Sequence, residues 1–375
     1  MSKILSVHIP SEIKNNIING ALDFWQEKVG TTTTISTAAA NGYSSDMLGF
    51  SNAGATNKAY TLVRSTDVPT AAQSGFKAPY SLLVTSTAAT TYATTDRSSP
   101  ITYRMEGSDY AKLANRTVTF GIWVKSSLIG NLPIAFNNAA FTRSYVTTVA
   151  INAANTWEFK TITLTLEAEG VSGYAFDTSV GFVISVAPSV GTSFQTATLN
   201  AWQAGEFYAP SGALNILNTN AATLQVSLLS LVEGSLGVGP KGFQRHGKDV
   251  GQELLACQRY YEKTYAVETA PGSVTGNGSI GNIGNAVGAG SSNTFYYANS
   301  FKVVKRTQPA VTVYSTGTGA ANNIRNSSVG NDVGGTIAAG SIETTGFTTI
   351  QVTTATNAVT ATNATTLHFV ADSRL

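Results

Sequence analysis

Side chains able to do acid–base or nucleophilic chemistry are few in this chain and far apart. Three histidines, His8, His246 and His368, and one cysteine, Cys257, are spread over 375 residues. That scatter argues against the clustered ligands of a zinc site and against a nucleophile triad. Glycoside hydrolysis needs two carboxyl groups facing one bond across about 5 to 10 Å. Glu167 with Glu169 at i, i+2, and Glu106 with Asp109 near a turn, are the pairs to consider. Acids in such loops are ordinarily solvated. The run Gly281-Asn-Ile-Gly284 lacks the lysine and the strand-to-helix context of a phosphate loop. No catalytic residue, metal ligand or cofactor is expected.

Aromatic side chains are the better lead. Sugar rings present C–H faces that stack on Trp and Tyr, while their hydroxyls bond to Asn, Gln, Asp and Arg. Trp123 falls on the non-core side of its predicted strand, beside Lys125. Trp202 lies in the loop-like run Asn200-Ala-Trp-Gln-Ala-Gly205, near Tyr208. Tyr296 and Tyr297 are consecutive, so in a strand one of them can face outward. These five are the candidate carbohydrate contacts; the alternative for each is packing against a neighbouring sheet or an identical chain. Trp25 and Trp157 read as core, and Cys257 as a small apolar residue on the buried face of a helix.

Composition sets the frame that must hold these residues. Hydrophobic residues make up 42% and charged residues only 12%, about half the usual charged share. Low charge with ample apolar content argues against disorder, and hydroxyl and amide side chains suit the exposed faces of β-strands. The net charge of +2 supplies no large field for nucleic acid or an anionic membrane. No apolar run approaches a bilayer span, and residues 1–10 do not read as a secretory signal. A single cysteine excludes an intrachain disulfide.

Strand-like alternation runs from Tyr60 to Glu233. In Thr117–Lys125, Val118, Phe120, Ile122 and Val124 share one face. In Lys160–Leu166 the inward set is Ile162, Leu164 and Leu166. Seven or more such strands without a helical period predict an antiparallel jelly-roll sandwich over residues 31–240. At the start, Leu5, Ile9, Ile13 and Ile17 recur every four residues. This stripe predicts a short helix within an N-terminal segment, 1–30, that contacts an identical chain or another protein, or else caps its own sandwich. Eight charged residues gather between Lys241 and Lys263, where Leu254, Cys257 and Tyr261 fall at i, i+3 and i+7. A connector helix is predicted there, over 241–265. Strands at Thr294–Tyr297, Phe301–Lys305, Ala310–Tyr314, Thr348–Val352 and Thr366–Val370 predict a second, smaller β-domain over 266–375.

Several stretches resemble the tail-fibre and receptor-binding proteins of tailed bacteriophages. They are Asn16–Gln26 (the pattern I-x-N-G-x-x-D-x-W-Q), Tyr43-Ser-Ser-Asp46, Ala150–Lys160, Ser193–Gly205 and Glu253–Lys263 (E-L-x-x-C-Q-R-Y-Y-x-K). None of these motifs is catalytic. The resemblance implies a jelly roll like those of carbohydrate-binding modules, located on a virion (phage tail or fibre) and assembled as a homotrimer. It implies attachment to other virion proteins through the N-terminus and binding of a bacterial surface polysaccharide, hence receptor recognition. The other reading is a structural virion protein, a head fibre or capsid decoration subunit, without glycan binding.

Overall fold

The computed structural model describes residues 14–234 and 239–375. The chain is all-β, and among the described residues the named strands pair antiparallel.

Two sheets form the jelly-roll sandwich. One has six strands in the order Thr33–Ile35, Tyr60–Ser65, Ser81–Ser86, Thr223–Glu233, Thr117–Ser126 and Glu158–Thr165. The facing sheet runs Trp202–Ala204, Arg143–Ile151, Gly130–Asn138, Val180–Val186, Arg97–Glu106, Leu48–Ala53 and Ala40–Tyr43, with Ser189–Val190 also paired to Arg97–Glu106. Alternation dictates what meets between them. Val118, Phe120, Ile122 and Val124 from one sheet join Leu132, Ile134, Phe136, Phe182 and Ile184 from the other in one buried cluster. Phe120 and Phe136 meet edge to face across the gap, with centroids 5.8 Å apart, a favoured aromatic geometry.

A second pair of sheets follows. The long strand Ala364–Asp372 pairs with Tyr261–Lys263, Ile280–Ile283, Ala310–Ser315 and Arg325–Asn326. Opposite it lies a three-stranded sheet of Asn293–Ser300, Gly346–Thr353 and Thr336–Glu343. Phe295, Tyr297, Ile350, Leu367 and Phe369 fill the space between them.

The predicted connector helix forms, over Val250–Gln258. Asp249 caps it, its side chain accepting from the Gln252 N–H at 2.9 Å. Cys257 is buried as predicted. Tyr261, however, belongs to the strand that begins three residues after the helix ends.

Three sequence expectations change here. Ile17 lies in a turn, not a helix, and is buried in the core of its own chain at 1% exposure. It is therefore no contact for another protein. Leu5, Ile9 and Ile13 fall outside the described residues, and residues 14–30 contain turns and extended chain but no helix. Phe301–Lys305 is a loop, because its backbone donors are not laddered along one strand: the Lys302 N–H donates to the Glu262 carboxylate at 3.0 Å, and the Phe301 and Lys305 N–H groups donate to the Thr345 and Thr344 carbonyls at 2.9 and 2.8 Å.

Candidate functional site

Of the five aromatic residues singled out, the fold leaves one fully open. Tyr296 is 66% exposed. It sits on the outer face of the strand Asn293–Ser300, whose inner face carries Phe295 and Tyr297 into the core. Strand alternation thus separates the two tyrosines as the sequence suggested. Tyr297 is 3% exposed, its hydroxyl meets Thr365 Oγ1 at 2.5 Å, and burial pushes its pKa up to about 12.

The cross-strand register names the neighbours of Tyr296. Opposite it stands Thr349, and the next pair on the same face is Thr294 with Gln351. On the third strand Gly340 pairs with Thr349 and Ala338 with Gln351. A Cβ at Gly340 would come within 2.7 Å of Thr349 Oγ1 and 3.2 Å of Gln351 Nε2. The missing side chain leaves room for both polar groups, of which Thr349 is buried and Gln351 exposed. Asn282 Nδ2 donates to the Tyr296 carbonyl, and Asn285 Oδ1 accepts from the Tyr296 N–H at 3.3 Å. These two bonds tie the strand Ile280–Ile283 and the following loop to the tyrosine.

Two shallow depressions flank this face. One, of about 550 Å³, is lined by Gly281, Asn282, Ile283, Ala364, Thr365 and Thr366. The other, of about 320 Å³, is lined by Ser292, Asn293, Thr294, Gln351, Val352 and Thr353. The chemistry on offer is one apolar ring face amid uncharged hydroxyls and amides. Such a surface can hold a ligand by stacking and neutral hydrogen bonds.

The other candidates are placed differently. Trp123 lies on the non-core face of its strand, as its spacing required, but that face is covered. Ala21, Ala78, Leu228 and Phe243 pack over it, leaving it 5% exposed. Tyr208 is 2% exposed, its hydroxyl accepting from Arg97 at 2.9 Å and donating to Glu206 at 2.7 Å. Burial pushes its pKa far up. Trp123, Tyr208 and Tyr297 therefore have no ring face open for stacking. Trp202 is half-buried on the edge strand Trp202–Ala204. Its indole donates to the Thr165 carbonyl at 2.8 Å and its ring meets Tyr145 edge to face. Trp25 is core, whereas Trp157 belongs to the outer cluster around Trp123 and donates to Asp67.

Of the candidate acids, Glu169 is exposed and Asp109 pairs with Lys112, while Glu167 and Glu106 are engaged in structure. Glu167 accepts from Arg143 and from the Tyr174 hydroxyl. Glu106 is buried, not solvated, and accepts from Arg259, Tyr260 and Ser108. His368 stacks on Tyr265 and bonds Thr264 and the Thr275 carbonyl. His8 lies outside the described residues.

No protein-family model matches the chain, and no curated protein matches it in sequence. Among solved structures it is similar to the enzymatically active domain of tailspike protein 4 of bacteriophage CBA120, at 9% identity and a TM-score of 0.28. That match covers 59% of this chain and 21% of that one, so about a fifth of the tailspike domain is spanned. A family 11 carbohydrate-binding module from Clostridium thermocellum, in complex with a β-1,3-1,4-mixed-linked tetrasaccharide, matches at 9% identity and a TM-score of 0.27, over 55% of this chain and 97% of that one. A cyclase from Fischerella sp. TAU matches at 9% identity and 0.29, over 60% and 98%. Function is read below from this chain's own side chains.

Proposed function

We propose that this chain is a recognition protein that binds a bacterial surface glycan, serving host attachment on a phage virion as a homotrimer. One observation carries the glycan reading: Tyr296 stands open to solvent on a strand face that it shares with the half-buried Thr294 and the exposed Gln351. A sugar ring laid on the tyrosine would stack through its C–H face, and the Gln351 amide and Thr294 hydroxyl would take its hydroxyl groups. The virion setting and the trimer rest on the motif resemblance, and the role is recognition without catalysis.

The test is titration of host-cell polysaccharide into the full chain and into Tyr296→Ala. Loss of about 1.5 kcal/mol, roughly tenfold in Kd, is expected, with little change in melting temperature because the tyrosine is largely exposed. Equal binding by both proteins would place the contact elsewhere, and no binding by either would remove the glycan reading. A monomer mass by light scattering would overturn the trimer.

A further inference from the structure

Asparagine is followed by glycine three times, at Asn19-Gly20, Asn41-Gly42 and Asn277-Gly278. The pair carries a reaction of its own. The glycine backbone nitrogen can attack the asparagine Cγ, because glycine puts no side chain beside that nitrogen. The new N–Cγ bond closes a cyclic imide, and the side-chain nitrogen leaves as ammonia. Water then opens the imide at either carbonyl and leaves a carboxylate where an amide stood. Opening at Cγ gives aspartate. Opening at the backbone carbonyl gives iso-aspartate, whose main chain runs through Cβ and Cγ and is longer by a methylene.

The fold treats the three sites differently. Asn19 is fully buried and both ends of its amide are held. Its Nδ2 donates to the Phe24 and Asp46 carbonyls, and its Oδ1 accepts from the Phe24 N–H at 3.0 Å. Cγ cannot turn toward Gly20 without breaking these bonds. Asn41 is exposed but lies in the strand Ala40–Tyr43, paired in register with Leu48–Ala53. Extended backbone points its side chain out of the sheet and away from the next nitrogen, so the strand must open locally before the ring can close.

Asn277 meets neither restraint. With Gly278 it forms the exposed tip of a turn. Among the described residues, no hydrogen bond holds the Asn277 side chain or the Gly278 N–H. The turn is pinned at its shoulders instead. The Asn277 N–H donates to Thr275 Oγ1 at 3.1 Å, the Ser279 N–H donates to the Gly276 carbonyl at 3.2 Å, and His368 Nε2 donates to the Thr275 carbonyl at 3.0 Å.

We propose that Asn277 is a self-modification site, converted through the imide with Gly278 to aspartate and iso-aspartate while Asn19 and Asn41 keep their amides. Each conversion adds a negative charge to a chain of net charge +2. It falls just ahead of Ile280–Ile283, the strand whose Asn282 donates to the Tyr296 carbonyl. An iso-aspartyl link therefore lengthens the connection that feeds the Tyr296 face.

The test ages the full chain in mildly alkaline buffer, which favours the attacking amide anion, with and without guanidinium chloride. Peptide mass spectrometry follows each Asn-Gly site over time and separates iso-aspartate from aspartate by fragmentation. In the folded chain Asn277 should convert at least about tenfold faster than Asn19 or Asn41, because those two must first open locally. In denaturant the three rates should draw level. Equal rates at the three sites in the folded chain, an Asn277 that reacts only when unfolded, or a ranking that denaturant leaves unchanged would each overturn the proposal.

Discussion

Asp96 is the clearest case of a residue whose chemistry is spent on structure. Its carboxylate is buried and accepts from the Ala55, Thr56 and Ala93 N–H groups at 2.8, 3.2 and 2.7 Å, with Lys58 Nζ 3.3 Å away. Burial pushes its pKa up, but the bonds from Thr56, Ala93 and Lys58 outweigh that and hold it below the ordinary 3.8. A depressed folded pKa means stability that is present above 3.8 and lost as pH falls through the folded value. Asp96→Asn keeps the shape but strands the Lys58 charge, at a cost of about 3 kcal/mol near neutrality. Urea unfolding of both proteins from pH 7 to 2 checks this. The gap between them should narrow only below about pH 3.8, and a constant gap would contradict the linkage. At this same scale, spacing correctly assigned Tyr296 and Tyr297 to opposite faces. It could not say that Trp123's outer face would be roofed by Phe243 and Ala78, because a strand's period gives the direction of a side chain and not what arrives above it from distant sequence.

The strand Thr223–Glu233 shows what an element adds. Its register against Thr117–Ser126 shifts between Ser227 and Ser230, with Leu228 at φ +52°, a conformation uncommon for leucine. The bulge frees backbone groups that the N-terminal segment then takes. Leu229 N–H donates to the Gly20 carbonyl at 2.8 Å, and Asn15 Nδ2 donates to the Leu229 carbonyl at 3.0 Å. Asn15 Oδ1 also accepts from the Ile17 and Leu231 N–H groups. Close approach explains the glycine, since a Cβ at Gly20 would lie 2.1 Å from the Leu229 oxygen. Gly20→Ala should therefore lift the segment from the bulge and cost about 2–3 kcal/mol. Hydrogen exchange should show the Leu229 and Leu231 amides deprotected while Phe120 stays protected; unchanged exchange at Leu229 would refute it. The four-residue spacing of Leu5, Ile9, Ile13 and Ile17 pointed to a helix. At Ile17 the spacing coincides with a turn, because Asn15 and Asn19 bond the backbone locally and outcompete helical pairing. Strands with clean alternation, such as Thr117–Ser126, were legible; an insertion that depends on a bulge two hundred residues away was not.

Across the whole molecule, three of the resembling motifs converge on one buried junction, although nothing in their separate positions says they meet. Asn19 Nδ2 donates to the carbonyls of Phe24 and Asp46, while Gln26 donates through its backbone and side chain to the Asp46 carboxylate at 2.9 and 2.6 Å. Gln26 also donates to the Tyr261 carbonyl at 3.2 Å. Arg374 closes the site, lying over the rings of Tyr43 and Tyr261 and paired to Glu27 and Asp372. At the centre, Lys263 Nζ donates to the carbonyls of Gln26, Val267 and Thr269 at 2.6, 2.9 and 2.6 Å. Burial pulls its pKa down to about 8, with Asp46 opposing. Tyr261–Lys263 is at the same time a strand of the second pair of sheets. One side chain thus bonds the turn at Gln26, which packs on the sandwich core, to the sheet that leads toward Tyr296. Lys263→Met fills the volume but leaves three buried carbonyls unpaired, at about 1 to 3 kcal/mol each if water does not enter. Calorimetry of the wild type should give one transition spanning both pairs of sheets. In Lys263→Met the second pair should melt first and separately, lower by several degrees, while the first keeps its midpoint. A single transition shifted as a whole would mean that the two halves stay coupled without the Lys263 bonds, and would overturn the prediction.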